Sequence, residues 1–199
     1  MAATKTDNSF ISDKVHLRAE YLPQKDIIKV LDCYAGKGKI WKNVVHLTGR
    51  KIRRLPIDFK DGIGFHLPGD NMGYLQTIGL NSFDVIDLDA YGVPYSQIKT
   101  VFDRGYGGIV FITFIQSIFG AIPHGLLLDI GFTEEMINKS PALFYKRGYE
   151  YFSQWLALRG IKTVTSRSNS RKHYMVINCA EARGGDCDTR QEDKAVSHV

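Results

Sequence analysis

Residues 27–47 constrain the fold more than any other part of this chain. An apolar run over residues 27–31 ends at an acid, Asp32, and a short loop with two glycines, Gly36 and Gly38, follows. Residues 39–47 are compatible with a helix. This order predicts a strand, a turn whose backbone passes close to another group, and a helix whose first N–H groups point into the gap.

Three later segments also end at carboxylates, and together they predict a sheet with an acidic edge. Residues 52–58 close on Asp58, residues 64–70 close on Asp70, and residues 83–89 close on Asp87 and Asp89. In an open parallel α/β sheet, ligands bind outside the carboxyl ends of the strands. Acids at four strand ends indicate a ligand with several hydroxyl and amino donors and a positive charge.

The glycine loop does not match the common phosphate-binding patterns. With Gly36 as the middle glycine of the dinucleotide fingerprint, Tyr34 and Lys39 occupy the other two glycine positions. The sequence Gly36-Lys37-Gly38 also lacks the hydroxyl residue of a P-loop. S-adenosylmethionine fits the acids better, because it carries two ribose hydroxyls, an adenine amino group, an ammonium and a sulfonium.

Residues 30–40, Val-Leu-Asp-Cys-Tyr-Ala-Gly-Lys-Gly-Lys-Ile, resemble motif I of the class I S-adenosylmethionine-dependent methyltransferases. The order and spacing of the later motifs also agree with that family over residues 26–118. The resemblance implies a Rossmann-like α/β fold, in which a mostly parallel seven-stranded sheet ends in an antiparallel hairpin. It further implies S-adenosyl-L-methionine as the cofactor and methyl transfer as the reaction.

A narrower likeness is to the tRNA guanine-N2 dimethyltransferases. Residues 89–94, Asp-Ala-Tyr-Gly-Val-Pro, are similar to their motif Asp-Pro-Phe-Gly-Ser-Pro, and residues 107–113 are similar to their fifth strand, with Gly120 shortly after. Ala90 replaces the first proline, and the acid that those enzymes carry after strand five is missing at residues 114–116. Those relatives also have RNA-binding domains, so here any recognition of RNA is expected to fall to residues 116–159 and 162–173.

The cofactor residues follow from the motifs that match. Asp58 is expected to accept both ribose hydroxyls, since a carboxylate accepts two hydrogen bonds side by side. Asp70 and the backbone of Asn71 are expected to meet the adenine edge. Alternatives remain: Asp32 as a helix N-cap, the glycines as turn residues only, and Asp61 in place of Asp58. The full set of expected cofactor contacts is Asp32, Ala35, Gly36, Gly38, Asp58, Asp70, Asn71 and Asp87.

The chemistry is expected in residues 87–94. Methyl transfer from a sulfonium depends mainly on aligning the nucleophile, the methyl group and the sulfur. Asp89, with the carbonyl of Ala90, is predicted to accept N–H bonds from an exocyclic amine, and Tyr91 offers an aromatic face to a planar base. The alternative is that Asp89 caps the next helix and Tyr91 packs. Methylation at cytosine C5 needs a cysteine nucleophile, and no cysteine lies between Cys33 and Cys179.

The charge distribution favours a nucleic-acid partner, tRNA or DNA. The net charge is +5, and residues 37–54 hold seven lysines and arginines and one histidine. Basic patches attract nucleic acid through counterion release. Arg167, Arg171 and Lys172 are predicted to contact phosphates from a closing hairpin that carries no competing acid. The alternative is that the basic residues form an ordinary solvated surface.

The leading hypothesis is therefore methylation of a nucleobase amine in RNA or DNA, with the base flipped into the site. A methyltransferase of a small molecule or a protein, or a non-catalytic binding protein with the same fold, are the alternatives. Residues 27–180 are predicted as one domain, between a polar leader at 1–26 and a disordered tail at 181–199. The chain has no apolar run long enough for a membrane span, and three cysteines without metal spacing favour the cytoplasm. The sequence leaves the oligomeric state open.

Overall fold

The computed structural model describes residues 10–60, 66–116, 122–161, 163–169 and 171–180. Its strands are β1 (Ile27–Asp32), β2 (Lys51–Asp58), β3 (Leu67–Pro68), β4 (Val85–Leu88), β5 (Ile109–Ile115), β6 (Thr163–Asn169) and β7 (Lys172–Asn178). They form one sheet in the order β3-β2-β1-β4-β5-β7-β6. Neighbouring pairs among β1 to β5 are parallel, whereas β7 is antiparallel to both β5 and β6. The predicted fold class is confirmed.

Helices cover both faces of the sheet. They are α1 (Ile11–Glu20), α2 (Lys39–Thr48), α3 (Asn71–Thr77), α4 (Tyr95–Asp103), α5 (His124–Asp129), α6 (Glu134–Lys139), α7 (Ala142–Tyr145) and α8 (Gly148–Leu158), with a 3-10 turn at Leu80–Ser82. The apolar residues of α1 and α2 pack on one face, and those of α3 to α8 pack on the other. None of the helices in the described ranges is long and apolar enough to span a membrane.

The predicted polar leader is wrong for Ile11–Glu20, which form α1. Val15 and Leu17 are buried against the sheet, and so are Lys14 and Arg18. These two cations lie one turn apart and face inward, toward acids at the end of β4. Hydropathy therefore does not reveal the buried face of α1, because half of that face is charged. The remainder of the predicted leader before residue 10, and the predicted tail at 181–199, lie outside the described residues.

Two further sequence boundaries need correction. The sequence of residues 142–159 is compatible with a single helix, but the structure has two helices there, α7 and α8, because the backbone leaves the helical region at Arg147 (φ −114°, ψ 21°). The sequence predicts Arg167 in the turn of the closing hairpin, between strands at 161–166 and 172–178, but it lies inside β6, which continues to residue 169. Gly120 lies outside the described residues.

The parallel register brings most of the predicted acids to one edge of the sheet, whereas Asp70 lies beyond the end of β3 and caps α3. Asp32 at the end of β1 lies opposite Asp87 of β4 on one side and Pro56 of β2 on the other. Asp58 ends β2 two residues later, and Asp89 directly follows β4. We call the carboxyl ends of β1, β2 and β4 the acidic edge, and the candidate site is built there.

Candidate cofactor and acceptor site

The glycine loop joins β1 to α2 at the acidic edge. Gly36 and Gly38 have φ values of +48° and +66°, a backbone region that side chains with a Cβ rarely adopt. The loop is closed by a hydrogen bond from the Gly38 N–H to the Ala35 carbonyl at 2.8 Å, and the Ala35 N–H donates to Ile57. Apart from its two chain neighbours, no atom of the described residues lies within 4 Å of the position that a Cβ on Gly36 would take. Within the part of the chain that the structure describes, the backbone of Gly36 therefore faces open space.

Asp58 lies directly beside this loop. Its Oδ2 accepts a hydrogen bond from the Gly36 N–H at 2.8 Å, and its Oδ1 accepts one from the Lys60 N–H at 2.9 Å. Each carboxylate oxygen has a second lone pair, so both can accept a further donor. The carboxylate is thus fixed in orientation and only half-buried. Asp61, the alternative ribose ligand, lies outside the described residues.

Asp70 and Asn71 open α3 and have local structural partners. Asp70 is exposed and caps the helix, since its Oδ1 accepts the Met72 N–H at 3.0 Å. The buried side chain of Asn71 donates to the Cys33 carbonyl at 3.0 Å and accepts from Gln97 at 3.2 Å. It ties the end of β1 to α3 and α4. Contact of Asp70 and of the Asn71 backbone with adenine stays a prediction.

Asp32 contacts Arg54 rather than open space. Nη1 of Arg54 donates to its Oδ2 at 3.2 Å, and a Cβ on Gly38 would overlap the same guanidinium. Burial, and then the nearby charge of Asp87, raise the pKa of Asp32 to about 8, against the opposing effect of Arg54. Burial therefore weakens the ion pair between Arg54 and Asp32, because it favours the neutral form of the carboxyl. The alternative that Asp32 caps α2 is not seen, because the N-cap is Gly38 and no side chain caps it.

Asp87 is enclosed beneath α1. Arg18 donates to Oδ2 at 2.8 Å and to Oδ1 at 2.5 Å, and Nε1 of Trp41 donates to Oδ2 at 2.7 Å. The side chains of Asp87 and Arg18 are each 1% exposed. A ligand at the acidic edge would reach this carboxylate only if Arg18 or Trp41 moved away. The geometry therefore argues against the predicted cofactor contact of Asp87 and gives it a structural role.

Asp89 is held by two donors on the same oxygen. Nζ of Lys14 lies 2.6 Å from Oδ1, and the Thr113 hydroxyl also donates to Oδ1. Burial disfavours the charged form of Asp89, but Lys14 and then Arg18 outweigh burial and lower its pKa below the ordinary value. Asp89 is therefore ionised at neutral pH. It does not cap α4, which begins after Pro94 without a side-chain cap.

Tyr91 stands on the surface two residues after Asp89. Its side chain is 68% exposed, so the alternative that it packs in the core is wrong. The loop that carries it turns at Gly92, with φ of +137°, and the Gly92 carbonyl accepts the Ile115 N–H at 2.8 Å. This bond fixes the loop to the end of β5, so an open aromatic ring follows an ionised acid at the edge of the sheet.

The closing hairpin reaches the same edge, but its cations have neighbours. Lys172 is paired in register with Ile115 at the carboxyl end of β5, and its Nζ lies 5.5 Å from the ring centroid of Phe10. Arg167 forms an ion pair with Glu20 at 3.1 Å. The hairpin itself carries no acid, as the sequence shows, but Glu20 of α1 competes with a phosphate for Arg167. Arg171 is exposed.

Sequence reasoning missed five residues that shape the site: Lys14, Arg18, Trp41, Arg54 and Thr113. Each of them contacts one of the buried acids at the ends of β1 and β4. One signal was available, since several carboxylates at one buried edge require counter-charges. Two cations four residues apart in the predicted leader satisfy that requirement, because a helix places such residues on one face.

Comparison with known proteins defines the fold. No family model matches the chain, and no curated protein matches it in sequence. Among solved structures, the Escherichia coli protein yhhF, provisionally assigned as a methyltransferase, aligns over 90% of this chain and 89% of its own, with a TM-score of 0.52 and 12% identity. The chain has the class I methyltransferase fold.

Two more structures with this fold are similar to the chain. A Staphylococcus aureus protein, provisionally assigned as a caffeoyl-CoA O-methyltransferase, aligns over 82% of both chains, with a TM-score of 0.51 and 12% identity. A Listeria monocytogenes protein, provisionally assigned as a class I S-adenosylmethionine-dependent methyltransferase, aligns over 96% of this chain and 64% of its own, with a TM-score of 0.50 and 15% identity. At such identities the likeness extends to the fold alone.

Proposed function

We propose that this chain is a cytoplasmic S-adenosylmethionine-dependent methyltransferase that methylates an exocyclic amine of a nucleobase in RNA or DNA. The observation that carries the proposal is the open glycine loop beside Asp58, at the carboxyl edge where this fold binds its ligands. The ionised Asp89 and the exposed Tyr91 follow at the adjacent strand end. The cofactor site and the acceptor site thus lie on neighbouring strands.

The residues at the acidic edge fit S-adenosylmethionine. Among the described residues, none but its chain neighbours fills the space where a Cβ on Gly36 would stand, and a fixed carboxylate with spare lone pairs lies next to it. The backbone of residues 35–38 would hold the methionine part, Asp58 the ribose hydroxyls, and Asp70 with the Asn71 backbone the adenine edge. When bound, the cofactor supplies a methyl group activated by a sulfonium.

Asp89 and Tyr91 suit an amine on a planar base. An ionised carboxylate is an acceptor only, so it binds the N–H groups of the amine and turns the nitrogen lone pair away from itself, toward the methyl donor. The exposed ring of Tyr91 offers a face on which a base can stack, and such stacking contributes about 1–3 kcal/mol per base in single-stranded complexes. Together the two residues favour an unstacked nucleobase.

A basic surface on α2 supports a nucleic-acid substrate. We define the α2 basic surface as Lys37, Lys39 and Lys42, which are all exposed. Residues 33–57 contain no acid, and within the described ranges these lysines form no ion pair. Unopposed cations beside the glycine loop are suited to phosphates. Because Arg167 of the hairpin forms an ion pair with Glu20, the α2 basic surface is a better candidate for phosphate contacts than the hairpin.

Calorimetry with a matched pair of glycine variants tests the cofactor site. Gly36 and Gly49 both have positive φ, and among the described residues only their chain neighbours lie within 4 Å of the place of a Cβ. Gly49, however, follows α2 at the opposite edge of the sheet. Gly36→Ala and Gly49→Ala should each lose about 1–2 kcal/mol of stability from backbone strain. Only Gly36→Ala should weaken S-adenosylmethionine binding, by roughly tenfold or more, since a methyl group then enters the ligand space.

Asp58→Ala should weaken binding by a similar factor, because the contacts to the ribose hydroxyls are lost. The cofactor proposal fails if the wild type does not bind S-adenosylmethionine, or if the two glycine variants bind it equally well.

Mass analysis of methylated nucleosides, from nucleic acid treated with the protein, tests the substrate. Asp89→Ala should abolish methyl transfer while cofactor affinity stays within a few-fold of the wild-type value, since Asp89 acts on the acceptor. Equal loss of both would make Asp89 a cofactor or structural residue. If the protein methylates a small molecule or a protein but no nucleic acid, the nucleobase substrate in the proposal is wrong. If it binds the cofactor but transfers no methyl group to any substrate, it is a non-catalytic protein.

A further inference from the structure

Helix α1 places a lysine directly on the proposed acceptor-binding acid. We infer that Lys14 is a positioning residue for the methyl transfer, which keeps Asp89 ionised and leaves its Oδ2 for the N–H groups of the acceptor amine. The inference rests on the proposed function of Asp89, and it adds a residue from a segment that carries none of the recognised motifs.

The first support is geometric. Nζ of Lys14 and the hydroxyl of Thr113 both bind Oδ1 of Asp89, and neither bond involves Oδ2. The side chains of Lys14 and Asp89 are only 9% and 12% exposed, and Thr113 is fully buried. Nζ also lies 5.4 Å from the ring centroid of Tyr174, within the range of a cation–π contact. Two donors on one oxygen restrict rotation of the carboxylate.

The second support is the charge around Asp89. Arg18 of α1 is the other nearby cation, but both of its hydrogen bonds to carboxylate oxygens go to Asp87. Burial is the largest effect on Asp89 and opposes its ionisation, and the charge of Lys14 is the largest effect that lowers its pKa. Lys14 is therefore the direct counter-ion of Asp89. Without it, burial would be opposed mainly by Arg18, which bonds to Asp87, so the pKa of Asp89 would rise, and a protonated carboxyl is a poorer acceptor for an amine.

Stability alone cannot distinguish this role from a structural one, because losing either partner of a buried ion pair destabilises a protein. The informative variant is Lys14→Met, which keeps an unbranched side chain one heavy atom shorter and removes the charged ammonium. Lys14→Arg keeps the charge. Lys139→Met is the control, because Lys139 is an exposed lysine on α6, on the other face of the sheet.

Carbon-13 NMR follows the titration of the Asp89 carboxyl, which is assigned by its absence in Asp89→Asn. In Lys14→Met the midpoint should rise by roughly 1–3 pH units, the usual effect of losing an adjacent opposite charge. At pH 6, kcat should fall by up to several-fold and should recover as the pH rises to 8.5, while KM for S-adenosylmethionine changes little. Lys14→Arg should retain the wild-type midpoint, and Lys139→Met should match the wild type throughout.

An unchanged Asp89 titration and pH profile in Lys14→Met would overturn the inference and leave Lys14 a structural residue. If Lys14→Met does not fold, Lys14→Gln keeps a donor without the charge, and the same shift is expected. The NMR titration needs no substrate, so its failure is distinct from failure of the proposed function. A wild type that transfers no methyl group overturns the proposed function, while a shifted midpoint in that protein still supports the dependence of Asp89 on Lys14.

Discussion

Replacing Arg18 with Met tests whether a buried ion pair docks α1 onto the sheet. The guanidinium makes two hydrogen bonds to Asp87, both side chains are 1% exposed, and the guanidinium carbon lies 5.4 Å from the Phe111 ring centroid. In Arg18→Met, Asp87 keeps the Trp41 bond but becomes a buried carboxylate without its paired cation. Removing one partner of such a pair costs about 3–5 kcal/mol, so we expect the free energy of unfolding to fall by that amount.

Urea unfolding of Arg18→Met, Asp87→Asn and the double variant measures this loss as a double-mutant cycle. The double variant removes both charges, so it should be clearly more stable than Arg18→Met alone. Lys25→Met is the control: Lys25 pairs with Asp84, but its side chain is 59% exposed, and its loss should be under about 1 kcal/mol. The reasoning is refuted if Arg18→Met loses no more stability than Lys25→Met.

Two further predictions concern protonation and salt. Burial, and then the charge of Asp87, raise the pKa of Asp32 from 3.8 to about 8. Between these two pH values the folded protein binds a proton that the unfolded chain does not, so the contribution of Asp32 to stability declines as the pH rises from about 4 to about 8. Asp32→Asn cannot ionise, so urea unfolding at pH 5 and pH 8 should show the variant gaining stability relative to the wild type at the higher pH; a constant difference would contradict the raised pKa. Replacing Lys39 and Lys42 with Gln should lower the slope of log affinity for single-stranded RNA against log salt by roughly 0.7 per lost phosphate contact. Fluorescence anisotropy across a salt series measures it, and a slope equal to that of Lys139→Gln would make the α2 basic surface an ordinary solvated one.

The sheet was predictable because its information is local. β1, β4 and β5 are short apolar runs, β2 alternates apolar and charged residues before it ends at an acid, and the glycine loop marks the first crossover. Asp58 could be placed for the same reason, since it ends its strand two residues beyond the position opposite Asp32. The antiparallel position of the last two strands came from the resemblance, and the structure confirms it.

The buried partners of the acids were not predictable, because they come from distant parts of the chain. Arg18 is 69 residues from Asp87, and Lys14 is 75 residues from Asp89. Hydrophobic periodicity reports apolar faces only, so a helix that buries two cations was interpreted as a polar leader. The pairing of Arg167 with Glu20 was not predictable for the same reason, because these residues are 147 positions apart in the sequence.

Because α1 packs on the sheet, the unit that folds begins before α1 and not at β1. A fragment that begins at residue 27 would contain all seven strands and every recognised motif. It would also leave Asp87 and Asp89 without their α1 cations and expose the apolar surface around Val30 and Phe111 that α1 and α2 share. Such a fragment should aggregate. When this unit is truncated, fused or exchanged with a related one, its N-terminal boundary should therefore lie before Phe10 and not at the first strand.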